Sequence, residues 1–224
     1  MLGPRAEESA VSTVLPLRET QIEHAGFVLA RSFFDDPFIS YAFPDPDHRF
    51  RESPWFFSVG VRAVLGVGRV HTDARVTGAA VWMPPGTPSL SDEAFAAAGF
   101  SDAPRRLGLE ALTRFGQNMS HLGELHERLM PEPHWYLMIL GVDPPHQGRG
   151  VGGELMQPVL AECDREGLPA YLETQKARNV PFYRKHGFEV VHETEAPTGG
   201  PHWWLMRGSL VPSKESSWQT ISGS

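Results

Sequence analysis

The chain has 224 residues, 41% of them apolar, with a formal net charge of -7 and one cysteine. This composition can bury one core, so a single domain over residues 14–208 is expected, with 1–13 as an N-terminal extension and 209–224 as a flexible polar tail. The negative balance argues against a nucleic-acid partner, which needs a basic face, and the lone Cys163 excludes an internal disulfide and a cysteine-ligated zinc site.

Thr20-x-x-Glu23 has the form of a capping box ahead of Ile22, Ala25, Gly26, Leu29 and Phe33 at helical spacing, which predicts a first helix over residues 19–34. Asp35-Asp36-Pro37 ends it, a Pro-rich loop follows, and a second helix is predicted within residues 55–65. Residues 68–73 and 76–83 read as an early hairpin around Ala74-Arg75. Residues 91–130 have helical composition broken by Gly99, Pro104, Gly108 and Gly123, which predicts two or three helices. Strands at 135–142, 170–174, 189–193 and 203–207 alternate with helices over 150–166 and 179–186, a mixed α/β (α+β) pattern. In the 150–166 helix Cys163 shares a stripe with Val151, Leu155 and Val159, so it is expected to be buried and a poor nucleophile, and Pro158 should kink the helix.

The run Gln147-Gly148-Arg149-Gly150-Val151-Gly152-Gly153 joins an apolar strand to an amphipathic helix. Glycines let the backbone approach a ligand closely, and the unpaired N–H groups of a first helical turn favour a phosphate. Written as Gly148-x-Gly150-x-x-Gly153, with Glu173 downstream, the run matches a dinucleotide fingerprint. Against that reading, Asp143 to Gln147 intervene where the dinucleotide motif turns tightly, and too little chain follows for a six-stranded doubly wound sheet.

Written as Gln147-x-x-Gly150-x-Gly152, the same run resembles the acetyl-CoA pyrophosphate loop of the GNAT superfamily of N-acetyltransferases. Asn179-Val180-Pro181-Phe182-Tyr183-Arg184-Lys185-His186-Gly187-Phe188 resembles that superfamily's next helix, in the right order and spacing. From residue 132 to 207, including Glu132-Pro133-His134-Trp135-Tyr136-Leu137 and Leu172-Glu173-Thr174, the chain is similar to puromycin N-acetyltransferases. Upstream the likeness thins to Asp36-Pro37 and Asp45-Pro46-Asp47.

The resemblance implies a GNAT-type fold, a central mostly antiparallel sheet with flanking helices, and acetyl-CoA as the acetyl donor. It implies that Tyr183 is the general acid at the sulfur, that the Leu140 N–H is the oxyanion donor, and that Val142 binds the pantetheine amide. Gly141 is a natural place for a bulge that would free these amides. Gln147, Gly148, Arg149, Gly150, Val151, Gly152 and Gly153 would hold the pyrophosphate, chiefly through main-chain N–H. Asn179 would contact the cofactor, or cap its helix on local grounds. Glu173 is a candidate base or amine anchor, or a solvated strand-end residue. His134, Tyr136, Trp203 and Trp204 are candidates for the acceptor site, and Asp35 and Asp36 for holding a cationic acceptor.

The reading is therefore an acetyl-CoA-dependent N-acetyltransferase acting on a small-molecule amine such as an aminonucleoside, by direct transfer in a ternary complex. Alternatives are the same chemistry on a protein lysine or N-terminus, a non-catalytic acyl-CoA-binding module, and the nicotinamide oxidoreductase suggested by the competing glycine pattern. The histidines lack metal-ligand spacing, so no metal is expected. No apolar run approaches about 18 residues and residues 1–12 lack an apolar segment, so a soluble cytoplasmic protein is expected, as monomer or homodimer.

Overall fold

The first element of the described residues, the edge strand β1 (Val14–Pro16), has no signal in the sequence because it is too short to show a period and contains a proline, which an edge strand tolerates. The computed structural model describes residues 13–87 and 90–208. The extension before residue 13 and the tail over 209–224 lie outside the described residues. Helix α1 (Ile22–Ser32) follows a 3-10 turn, and the box at its start is not Thr20 with Glu23. The Gln21 side chain accepts from the Arg18 N–H at 3.0 Å, while Glu23 accepts from Ser58 and Arg62 and ties α1 to the helix that carries them.

The expected Pro-rich loop holds helices instead. α2 (Pro37–Ala42) and α3 (Pro46–Leu65) each begin with an Asp-Pro pair. Asp36 accepts from the Phe38 and Ile39 amides, and Asp45 from those of Asp47 and His48. The proline occupies the first helical position, where a missing N–H costs nothing. β2 (Arg69–Asp73) and β3 (Gly78–Met83) form the expected hairpin. β3 starts two residues later than predicted because Val76 sits at φ 54 in a turn gathered by the Asp73 carboxylate.

α4 (Asp92–Ala97), α5 (Ala103–Leu107) and α6 (Leu109–Leu129) follow. Gly99 and Gly108, at φ 102 and 80, break the run as expected, whereas α6 continues straight through Gly116 and Gly123. Each interior glycine lowers helix stability by about 0.8–1 kcal/mol relative to alanine. β4 (Trp135–Val142), α7 (Val151–Glu166), β5 (Ala170–Thr174), α8 (Val180–Lys185), β6 (Phe188–Glu195) and β7 (His202–Gly208) complete the described residues.

The seven strands form one sheet in the order β1-β2-β3-β4-β5-β7-β6, and every neighbouring pair is antiparallel except β4 with β5. That parallel pair touches only at Trp135 with Ala170 and Tyr136 with Tyr171. Beyond these residues the two strands diverge, leaving the rest of β4 unpaired on that side. Alternation along the strands divides the core between two faces. Ala79, Val81, Tyr171 and Leu205 pack with α1, α2, α3 and α6 on one face, and Ala80, Trp82, Leu172 and Met206 with α7 and α8 on the other.

The bulge in β4 lies not at Gly141 but at Met138, which is the residue skipped where Val81 pairs with Ile139 and Trp82 with Leu137. Gly141 has a packing reason of its own: an added Cβ would stand 2.6 Å from Leu29 and 3.0 Å from Phe33 of the α1 side. Gly141→Ala is expected to destabilise the protein by about 1–3 kcal/mol through overpacking, measured by denaturant unfolding.

Candidate active site

The diverging edge of β4 supplies hydrogen-bonding groups. The Asp143 N–H donates to Thr77 on the β3 side, so by alternation the amides of Val142 and Leu140 face the opposite edge, where β5 has departed. The Val142 N–H donates to Ser32 Oγ at 3.2 Å, which shows its direction. The Gln147 side chain donates to the Val142 carbonyl at 2.9 Å and fastens the glycine loop to the end of the strand.

In that loop Gly148 and Gly150 have φ 73 and 87, and neither has an atom within 4 Å of an added Cβ. Their role is conformational: the left-handed turn ends at the start of α7. The first donor of the helix ladder is the Glu154 N–H, to the Gly150 carbonyl, so the amides of Val151, Gly152 and Gly153 precede it and point out along the axis. Gly153 also admits His186, which would stand 2.7 Å from a Cβ there. The positive end of a 16-residue helix, with its glycine turn, fits a phosphate group.

Tyr183 of α8 is buried, its ring edge-on to Phe182 and Phe188 at 5.1 and 6.0 Å. Burial and the nearby charge of Asp36 raise its pKa, so the hydroxyl keeps its proton. Asn179 does not cap α8: its backbone is helical and its amide donates to Thr174 Oγ1 at 3.1 Å, tying the end of β5 to the start of the helix. Asp36 is almost fully buried beneath α2, with Lys176 Nζ at 3.7 Å. Desolvation raises the Asp36 pKa and lowers that of Lys176, and the attraction between the two opposes both shifts.

On the α6 face of the sheet lies a cavity of about 530 Å³, lined largely by aromatic and aliphatic side chains from α2, α3, α6, β4, β5 and β7. Its polar wall is built around Glu173, which is no solvated strand-end residue. Burial pushes its carboxyl up to about 7, and the hydroxyls of Tyr136 and Tyr171 only partly offset this by stabilising the charge. The Tyr171 hydroxyl is aimed at the same carboxyl, without closing a well-formed hydrogen bond. His126 stacks on Tyr171 at 4.1 Å and meets Tyr136 edge-on at 4.7 Å. His134 Nδ1 donates to the Glu132 carbonyl, leaving its Nε2 to accept from His126 Nε2 at 2.6 Å. Burial, with His134 alongside, lowers the His126 pKa to about 4, so that ring is neutral.

The structure thus brings Asp36, Tyr136, Glu173 and Trp203 to one cavity, with His134 behind His126. It separates two residues expected with them. Asp35 is exposed and turns to a second hollow beside Arg31 and Arg49, because adjacent residues at the end of α1 point apart. Trp204 follows Trp203 in a strand and therefore packs on the opposite face, against His202 at 4.3 Å. The sequence reading missed Ser32, His126, Tyr171 and Lys176. Tyr171 was within reach, since it shares a strand face with Glu173; the other three are gathered only by folding. Cys163 is buried as expected, its thiol pushed up to about 12 chiefly by burial.

One parallel strand pair cannot form the doubly wound sheet of a dinucleotide fold, which overturns the oxidoreductase alternative. A model of the acetyltransferase (GNAT) family matches residues 102–188. An uncharacterised N-acetyltransferase of Schizosaccharomyces pombe is 30% identical over 172 residues, spanning 73% of this chain and 69% of that protein. The chain belongs to the GNAT family of acetyltransferases.

Solved structures agree on the GNAT fold. A histone acetyltransferase and related acetyltransferase from Corynebacterium glutamicum superposes with a TM-score of 0.65 at 21% identity, covering 89% of this chain and 96% of that one. A polyamine N-acetyltransferase from Drosophila melanogaster gives 0.57 at 17% identity, covering 88% and 99%. As a GNAT acetyltransferase the chain is an acyltransferase enzyme. Among the described residues no helix is long and apolar enough to cross a membrane.

Proposed function

We propose that this GNAT enzyme transfers an acetyl group from acetyl-CoA to the amine of a small molecule, directly and without an acyl-enzyme. The observation that carries the reading is the split between β4 and β5, which opens a slot flanked by the Leu140 and Val142 amides, with the glycine turn of α7 at one end and the Glu173 cavity beside it. Acetyl-CoA supplies an activated thioester. Gly148, Arg149, Gly150, Val151, Gly152 and Gly153 bind its pyrophosphate, with Gln147 and Asn179 holding the surrounding backbone in place. The Val142 N–H, which now meets Ser32, aligns the pantetheine arm.

The Leu140 N–H stabilises negative charge on the acyl oxygen, the type of contact whose loss elsewhere costs about 10²–10³ in kcat. Glu173 accepts the amine proton, and Tyr183 holds a proton for the departing sulfur. The recess of the cavity behind α6 favours a small acceptor, an aminonucleoside such as puromycin among them, over a protein lysine or N-terminus. The single domain over residues 14–208, acting as monomer or homodimer, contains all these groups.

The test is thiol release from acetyl-CoA with a panel of amines, alongside CoA binding by calorimetry. Gly150→Ala is expected to weaken CoA binding about tenfold, because a φ of 87 strains any residue with a Cβ and the loop relaxes away from the phosphate geometry. No CoA binding by the unaltered protein defeats the reading; binding without turnover of any amine leaves only an acyl-CoA-binding module.

A further inference from the structure

Helix α6 turns an apolar stripe toward the cavity: Leu112, Phe115, Met119 and Leu122 all line it. Beside them stand Gly116 and Gly123, separated by two helical turns and so on the same side of the helix. Some glycines of the fold have a steric reason. A Cβ on Gly26 would stand 2.0 Å from Ser58, and one on Gly153 would stand 2.7 Å from His186. Gly116 and Gly123 have neither reason: nothing lies within 4 Å of an added Cβ, and neither is among the positive-φ glycines. Glycine is a poor helix former. Two of them on one face, demanded by neither backbone geometry nor packing, keep room along the cavity wall.

Charge supplies the second constraint. The lining contains two carboxylates, Glu173 and Asp36. Asp36 is committed to the Phe38 and Ile39 amides and to Lys176. Glu173 faces the neutral Tyr136 and Tyr171. One uncompensated acid matches one cation. The remaining wall, including Phe56, Phe95, Phe100 and Phe115, offers a second ammonium no further carboxylate among the described residues, only the neutral Gln175 and His126.

We propose, resting on the acetyl-transfer reading above, that the acceptor is a monoamine with a bulky aromatic or branched-alkyl body. Its ammonium enters toward Glu173, and its body lies along α6 over Gly116 and Gly123, which set the size that fits. The two glycines are specificity-determining residues with no part in the chemistry.

The experiment measures kcat/KM by thiol release for phenylalkylamines and puromycin, for ethylamine, for spermidine and for a lysine peptide, in the unaltered protein and in Gly116→Leu and Gly123→Leu. The expected result is a preference of at least about 100-fold for aryl monoamines over spermidine and the peptide. Filling either glycine position lowers the ratio of aryl-amine to ethylamine kcat/KM by at least about tenfold, mainly through KM. Gly116→Ala and Gly123→Ala serve as folding controls: their melting temperatures are expected to hold or rise, since alanine favours the helix. Preferred turnover of spermidine or the peptide overturns the inference while leaving acetyl transfer intact, as does an unchanged ratio in both leucine variants. CoA binding with no turnover of any monoamine also overturns it. Absence of CoA binding instead defeats the acetyl-transfer reading beneath it.

Discussion

Replacing Tyr183 with phenylalanine is expected to lower kcat by about 10²- to 10⁴-fold, the range associated with general acid catalysis, with CoA affinity within about twofold. The substitution removes one hydroxyl and keeps the ring that packs against Phe182 and Phe188, so the fold and the slot should persist. What is lost is a proton held ready. Burial, reinforced by the charge of Asp36, keeps the hydroxyl protonated well into the alkaline range, whereas a thiol with pKa near 8.5 leaves most readily when a proton is supplied. Steady-state thiol release and calorimetric CoA titration separate the two quantities. An unchanged kcat would assign the proton to water and remove Tyr183 from the chemistry.

Glu173→Gln is expected to lower kcat/KM by about 10²- to 10³-fold at neutral pH and to abolish the pH dependence around 7. A carboxyl pushed up to about 7 by burial is half ionised there, so in the unaltered enzyme the basic form, and with it kcat/KM, rises as pH rises through that value. Stability runs the other way. The unfolded chain releases this proton near 4.5 and the folded protein near 7, so between those values the native state binds the extra proton and loses stability as pH rises. Above 7 the cost is fully present. The glutamine variant escapes it, so its melting temperature should exceed that of the unaltered protein at pH 8 by several degrees, with the gap narrowing toward pH 5. A variant that is both slower and more stable at pH 8 is the signature of a buried charge kept for function. Equal rates at pH 7, or a lower melting temperature at pH 8, would refute the role given to Glu173.

Part of the site was legible because its parts are local. Gly148 and Gly150 form the turn into an amphipathic helix that their spacing suggested, in left-handed conformations, and α7 and β5 end within a residue of their predicted limits. Helix α2 and the first half of α3, whose second half is the helix expected within residues 55–65, were legible too: Asp36-Pro37 and Asp45-Pro46 are each an N-cap followed by a first-turn proline, a helix-start signal. Gly123 was read as a break because propensity weighs a single residue, whereas α6 is held by the packing of a whole stripe including Leu122 and Leu125.

By itself the sequence determined the strand–turn–helix of the glycine loop, the alternation of strands with helices after residue 135, and the helix that presents Tyr183. Each depends on dihedral preference, capping or periodicity over a few neighbouring residues. Only the tertiary structure decided that Glu173 is half-buried in a cavity wall rather than solvated at a strand end, that Trp203 faces the cavity and Trp204 does not, and that Asp36 lies beside Lys176 and within reach of Tyr183. The cavity is assembled from α2, α3, α6, β4, β5 and β7, residues far apart along the chain. Burial, which sets the proton affinity of Glu173 and the shape offered to an amine, depends on what packs across that distance and leaves no local mark in the sequence.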